Sequence, residues 1–158
     1  MMIQILFGGL GWTEVALTLN RVVVGTFFMF SGYHKLFNRT RHQEFADELR
    51  SLRVPAVGIN QWRVPLVEFS AGTAVVIGLL APFASLGLLV VIIVANATSG
   101  RARISAFKPI DIADRIDDWL YLPETLYAVM LIEVILVGAG PFSFDALVPN
   151  LVNKYILW

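Results

Sequence analysis

The sequence predicts an all-α membrane protein: a bundle of four transmembrane helices, with short amphipathic helices in two of the connections. Three observations lead to this class. Hydrophobic residues make up 57% of the 158-residue chain and charged residues only 15%, against about 45–50% and about 25% in ordinary soluble proteins. Long apolar segments follow one another along the chain, without the period-two alternation that a β-barrel requires. Finally, the basic residues cluster in two of the connecting segments.

The composition also excludes several classes of function. Lys and Arg number 12, as do Asp and Glu, so the chain lacks the basic surplus of a nucleic-acid binder. The absence of cysteine excludes disulfides, thiolate nucleophiles, iron–sulfur clusters and cysteine-bound zinc. The only histidines, His34 and His42, flank a predicted helix boundary and provide no facing pair of haem or metal ligands. We expect no nucleic-acid partner, no metal site and no catalytic apparatus in this chain alone.

Four apolar segments define the predicted spans of the single domain expected over residues 1–158. A helix that crosses the hydrocarbon core of a membrane needs about 20 apolar residues. The uncharged run from Phe69 to Gly100 is long enough for two helices, and Pro82 marks the break because proline interrupts helical hydrogen bonding. The predicted spans are residues 15–35, 64–80, 83–97 and 119–137.

The basic residues set the predicted orientation. Ten of the twelve lie in, or at the edge of, the segments that follow the first and third predicted spans. Because cytoplasmic loops carry the excess of Lys and Arg, we expect both long loops in the cytoplasm and both termini on the outer side. The expected location is therefore a membrane that borders the cytoplasm. The ten residues are Lys35, Arg39, Arg41, Arg50, Arg53, Arg63, Arg101, Arg103, Lys108 and Arg115.

Each long loop is predicted to contain a short amphipathic helix. In the first loop, Thr40 and Gln43 fit a capping box, and Phe45, Leu49 and Leu52 follow on one helical face. Two interpretations of these helices stay open: they anchor the bundle at the cytoplasmic membrane surface, or they dock a partner subunit. In the second loop, the apolar positions at helical spacing are Ile112, Ile116, Trp119 and Leu120.

Ionisable residues within the spans are the candidate functional positions, because such residues are costly in a membrane and face the interior of a bundle. Depth along the helices places Arg21 and Glu133 together in the outer half, and we predict that they pair. Glu68 lies on the cytoplasmic half, where it is predicted to pair with Lys35 or His34. Two interpretations remain: a structural charge network that fixes helix register, or a polar pocket for a quinone headgroup, a lipid or another small amphipathic ligand.

Small residues accompany these charges and predict close helix packing. On the second span, Glu68 shares a face with Gly72. On the fourth span, Glu124 lies near the interface, and Glu133 is taken as the more informative carboxylate. The face predicted to point inward on the first span consists of Arg21, Gly25, Phe28, Gly32 and Lys35.

An ordered series of short motifs runs along residues 20–145. It includes Arg21, the Ser-Gly-Tyr-His-Lys-Leu run at residues 31–36, Glu68, and a final Gly-Ala-Gly-Pro-Phe-Ser-Phe-Asp run at residues 138–145. In this series the chain resembles the DoxX/DoxD-like family of small four-helix bacterial membrane proteins. Many members of that family carry a histidine near the end of the third helix, where this chain has Asn96 or Thr98. The C-terminal motif of the family corresponds to Gly138, Gly140, Pro141, Ser143 and Asp145.

The resemblance implies a location in the bacterial inner membrane and a role linked to redox chemistry. Family members are similar to the membrane subunit of an archaeal thiosulfate:quinone oxidoreductase, and others associate with redox or oxidative-stress proteins. The expected function is therefore that of a membrane subunit in a redox-linked, quinone-associated assembly, with lipids and other membrane subunits as partners. Any redox chemistry would proceed through a quinone or a partner subunit. The alternative is a non-catalytic accessory subunit that packs against a larger membrane complex.

Overall fold

A computed structural model describes residues 11–147, and the regular structure in that part of the chain is entirely helical. This confirms the predicted all-α class. The predicted placement of the two termini concerns residues 1–10 and 148–158, which lie outside the described residues. The helices are α1 (Thr13–Phe37), α2 (Arg39–Ser51), α3 (Val57–Ile77), α4 (Ala81–Ala95), α5 (Arg101–Phe107), α6 (Ile112–Tyr121) and α7 (Pro123–Val137).

The four helices α1, α3, α4 and α7 pack side by side as a bundle. Helix α1 lies along α3, α4 lies along α7, and α3–α4 and α1–α7 contacts close the arrangement. All four contribute side chains to one apolar core. The core side chains are Val24, Phe28, Val75, Leu88, Ile92 and Leu131.

Glycines bring α1 and α3 into direct backbone contact. A Cβ atom placed on Gly32 would lie 2.6 Å from the carbonyl oxygen of Pro65, and one on Gly72 would lie 2.5 Å from the backbone nitrogen of Met29. No side chain fits at such distances, so the two backbones approach as closely as they do only because these positions are glycine. The small-residue face predicted from the sequence is therefore the α1–α3 interface.

The outward faces of the bundle are apolar. Leu86, Val90 and Ile93 of α4 and Leu126 and Val129 of α7 all expose more than half of their surface. Soluble monomers rarely expose apolar patches of this extent, whereas a lipid-facing surface consists of such residues.

Two helices are each long and apolar enough to cross a membrane: Thr13–Phe37 and the continuous helical stretch Ala81–Phe107. The third predicted span, residues 83–97, is thus too short, because a π-helical turn, Asn96–Gly100, carries α4 into α5 without a break. Helix α3 covers most of the second predicted span, but it ends at Ile77 rather than at residue 80. Polar residues in its first half, such as Arg63, lower its hydropathy, and it is not among the candidate spans.

The fourth predicted span is wrong as a single helix. Residues 119–137 are divided between α6 and α7, which meet at an angle of 68°, and together they count as a third span only if this bent pair is one crossing. The break follows from Pro123, which lacks an N–H and disfavours helical geometry at the preceding residue. Leu122 accordingly adopts an extended conformation, with φ −69° and ψ 124°.

The predicted helices of the two long connections are present, with two differences. The predicted capping box at Thr40 is wrong, because the N-cap of α2 lies two residues earlier: the side chain of Asn38 accepts hydrogen bonds from the backbone N–H groups of Thr40 and Arg41. The apolar face of α2 also packs over α1 and α3 instead of lying free. Helix α6 is different: it leaves Ile112 and Ile116 largely exposed.

We expect Gly32→Ala to destabilise the protein by about 1–3 kcal/mol, because the added methyl group has no space between α1 and α3. Thermal unfolding in detergent measures the effect. The matched control is Gly87→Ala on α4, where the nearest atom to an added Cβ lies 4.0 Å away. Equal melting temperatures for the two variants would contradict the close α1–α3 contact.

Candidate functional site

A buried carboxylate, Glu68 of α3, lies at the centre of the candidate site. Only 5% of Glu68 is exposed. The ammonium nitrogen of Lys35 lies 2.8 Å from its Oε1 and 2.7 Å from its Oε2, and the hydroxyl of Ser31 donates a hydrogen bond of 3.2 Å to Oε2. Burial of a charge is tolerated when it is paired and hydrogen-bonded, and both conditions hold here. Of the two partners expected for Glu68, Lys35 and His34, the structure places Lys35 in contact with it.

Contacts between α1 and α2 hold Lys35 in place. Its ammonium group lies 4.8 Å from the centre of the Phe45 ring, a cation–π contact. A ring nitrogen of His42 lies 2.9 Å from the backbone oxygen of Lys35 and so links the start of α2 to the end of α1. Helix α2 thereby covers the ion pair.

The Lys35–Glu68 pair lines a cavity of about 460 Å³, which we call the central cavity. Helices α1, α2, α3, α4 and α7 all contribute to its wall, at the end of the bundle where α2 lies. The face predicted for α2 from Phe45, Leu49 and Leu52 is part of this wall. Most other lining residues are apolar; they include Phe27, Phe28, Val64, Val91, Ile92 and Tyr127.

Aromatic rings form one side of the central cavity. The rings of Phe27 and Tyr127 stack with centroids 4.1 Å apart, and Phe28 meets Tyr127 edge to face at 5.9 Å. Offset and edge-to-face geometries are the favourable arrangements for aromatic pairs. A ring-shaped ligand in this cavity would therefore meet flat apolar surfaces as well as the polar group at Lys35.

His34 does not belong to the Lys35–Glu68 pair. Its side chain is exposed and lines a second, smaller cavity of about 330 Å³, together with Arg41 and Glu44. Lys35 and Ser31 line both cavities. The ion pair therefore stands between a polar recess beside α2 and the mainly apolar central cavity.

The predicted pairing of Arg21 with Glu133 is wrong. Arg21 is only 2% exposed, and its guanidinium donates to the backbone oxygens of Val75 and Val76 at 3.1 and 2.9 Å and of Phe142 at 2.7 Å. Carbonyl groups at a helix C-terminus carry partial negative charge, which explains how they satisfy a buried cation. Glu133 is half-buried on α7 and makes no hydrogen bond or ion pair with the residues of the described part.

The C-terminal motif lies beside Arg21, at the opposite end of the bundle from the central cavity. Asp145 accepts hydrogen bonds from the backbone N–H groups of Leu80 and Ala81, at 2.7 and 2.9 Å, and so caps α4. Ser143 donates to the carbonyl of Gly140. The backbone N–H groups of residues 144 and 145 bond to residues 77 and 78. These contacts fasten residues 141–147 over the α3–α4 turn.

Gly78 shows how tightly this end is packed. Its φ of +72° is a left-handed conformation that favours glycine, and a Cβ atom there would collide with the guanidinium of Arg21 and the side chain of Ser143. The motif residues Gly138 and Gly140 also have positive φ values, of 90° and 77°. Pro141, next in the motif, lies exposed where the chain turns back toward Arg21. We interpret this cluster as structural.

Of the two carboxylates on the fourth predicted span, the sequence favoured Glu133 as the informative one, but Glu124 is the one that lines the central cavity. Glu124 is the second residue of α7, lines the central cavity, and pairs through Oε1 with Arg103. Its position directly after Pro123 was the available signal, since proline favours the first position of a helix and an acidic residue is favoured in the first turn. Thr98 and Ser99 of the π-helical turn line the same cavity.

Helices with apolar outward faces, and between them a mainly apolar cavity lined by an ion pair, define a small helical membrane protein. The model of the DoxX family matches residues 16–101, more than half of the chain. The chain belongs to the DoxX family, as the sequence resemblance predicted. No curated protein and no solved structure gave a match.

Proposed function

We propose that this DoxX-family protein is a membrane subunit of a redox-linked assembly and that its central cavity binds the headgroup of a quinone. The single observation that carries the proposal is the placement of Lys35 and Glu68 in the wall of a cavity that is otherwise mainly apolar. Small-molecule sites have this composition, with apolar walls and a few polar groups that fix orientation.

The lining residues fit a quinone. Lys35 has three N–H donors, and two short contacts to Glu68 leave one for a ligand oxygen. The rings of Phe27, Phe28 and Tyr127 offer apolar surface to a flat ring. The volume of about 460 Å³ lies within the range of small-molecule pockets, about 300–1,000 Å³. A bound quinone would supply the capacity to carry electrons and protons, whereas the residues of this chain orient it and exclude water.

A non-catalytic accessory role is the second candidate, and helix α6 favours it. Ile112 is 77% exposed and Ile116 56%, on a helix whose other faces carry aspartates. Such a surface suits either the membrane interface or a neighbouring subunit. In this role the Lys35–Glu68 pair would only fix the register of α1 against α3.

We further propose that the bundle crosses the bacterial inner membrane four times, with the α2 and α5–α6 segments in the cytoplasm. Helix α1 and the continuous stretch Ala81–Phe107 are long enough to cross, and α5, the last part of that stretch, would extend beyond the membrane on the cytoplasmic side. Because α1 and α3 are in close contact along their length, α3 would enter the membrane with α1, and its buried Glu68 would be shielded from lipid by Lys35. The excess of Lys and Arg in the two segments supports the orientation.

Native mass spectrometry of protein released gently from quinone-containing bacterial membranes tests the quinone site. We expect a stoichiometric quinone on the wild type and several-fold less on Glu68→Gln, because the Lys35 ammonium loses its counter-charge and its fixed position. The matched control is Glu133→Gln, a half-buried carboxylate outside the cavity, which should retain the ligand. Ser31→Ala keeps the ion pair and should cause a smaller loss.

The same spectra separate the two candidate functions. Absence of quinone from repeated wild-type preparations, or equal retention by Glu68→Gln, would refute the quinone site. Partner subunits without a quinone would favour the accessory role.

Single-cysteine labelling tests the topology, and the chain suits it because it contains no cysteine. Gln43→Cys on α2 and Ala106→Cys on α5 should react with a membrane-impermeant maleimide only after the inner membrane is opened. Thr13→Cys at the start of α1 should react in cells whose inner membrane is intact. All three positions are exposed in the structure. Labelling of all three from the same side would contradict the proposed crossings.

A further inference from the structure

One wall of the central cavity presents only hydrogen-bond acceptors. The hydroxyl of Thr98 donates to the carbonyl of Val94 at 2.8 Å, and that of Ser99 donates to the carbonyl of Ala95 at 3.1 Å. Since a hydroxyl has one proton, both side chains have only lone pairs left for a ligand. The π-helical turn that carries them is a rare distortion, and such turns are frequent at functional sites.

Glu124 adds a carboxylate to this wall. Its Oε1 pairs with one terminal nitrogen of Arg103, whereas its Oε2 and the Nε of Arg103 are both buried and have no hydrogen-bond partner among residues 11–147. The terminal torsion of a glutamate side chain is broad, so the carboxylate can turn an oxygen toward the cavity that it lines. A buried acceptor without a donor is costly, and a ligand that supplies the donor removes that cost.

The Lys35–Glu68 pair, on the other side of the cavity, does not need a hydrogen-bond donor from a ligand. Both oxygens of Glu68 already accept from Lys35, and Oε2 also accepts from Ser31. Lys35 itself offers a donor to a ligand oxygen. A ligand matched to the whole cavity therefore accepts a hydrogen bond at the Lys35 side and donates one at the wall formed by Thr98, Ser99 and Glu124.

We propose that the central cavity selects the reduced, quinol form of its ligand over the oxidised quinone, with Glu124 as the specificity-determining residue. This inference rests on the proposed function. The ring oxygens of a quinone only accept hydrogen bonds, so they leave Glu124 unsatisfied. Each hydroxyl of a quinol both donates and accepts, and it can satisfy either side. Hydrogen bonds to charged groups are the stronger class, which sets the expected preference at about tenfold.

Binding of decylubiquinone and of its reduced form, measured anaerobically on the full-length protein in lipid nanodiscs, tests the inference. The wild type should bind the quinol about tenfold more tightly than the quinone. Glu124→Gln should weaken quinol binding until the two affinities are similar, with little change for the quinone. Thr98→Val, which removes one acceptor oxygen and keeps the side-chain shape, should reduce the preference by a smaller factor.

The control variant is Glu133→Gln, which changes a carboxylate of the same helix outside the cavity and should keep the full preference. Equal wild-type affinities for both forms, or an unchanged preference in Glu124→Gln, would overturn the inference. If the quinone still binds in that case and its binding is weakened by Glu68→Gln, the proposed function remains supported. If neither form binds the wild type, both proposals fail.

Discussion

The close contact between α1 and α3 is the constraint on which the rest of the structure depends. Gly32 and Gly72 allow the two backbones to touch, and no larger residue fits at either position. This contact fixes the rotation and register of α1. Because Arg21 and Lys35 lie on the same face of α1, both cations are then directed at α3, one near each end of the interface.

The two cations meet different surroundings, and this difference separates structure from candidate function. Arg21 is held by backbone carbonyls at the end of α3 and by the segment that follows α7, so it closes the end of the bundle. Lys35 is held by a carboxylate, under α2 and beside a cavity. Arg21 is enclosed by backbone carbonyls, with Asp145 near it, and lines no cavity described above. The Lys35–Glu68 pair lies beside an apolar space and can re-form its hydrogen bonds around a ligand.

Much of this arrangement follows from the sequence because it depends on spacing. The glycine face of α1, and a pairing of Glu68 with Lys35 or His34, were predictable from helical periodicity and depth, and the structure decides between the two partners in favour of Lys35. The partners of Arg21 were not, since backbone carbonyls carry no sequence signal. Periodicity identified the apolar face of α2 but not the surface that it covers. The bend before Pro123 was missed because an apolar run was given more weight than the proline, and with it the position of Glu124 in the cavity wall.

We expect the cavity, and not the lipid-facing surface, to receive the quinone headgroup. Photoaffinity labelling with an azido-quinone, followed by peptide mapping, distinguishes the two locations. Adducts should form on cavity residues such as Phe28, Val64 and Tyr127 and should be suppressed by excess unlabelled quinone. Adducts confined to outward-facing residues such as Leu126 and Val129, without competition, would contradict this expectation.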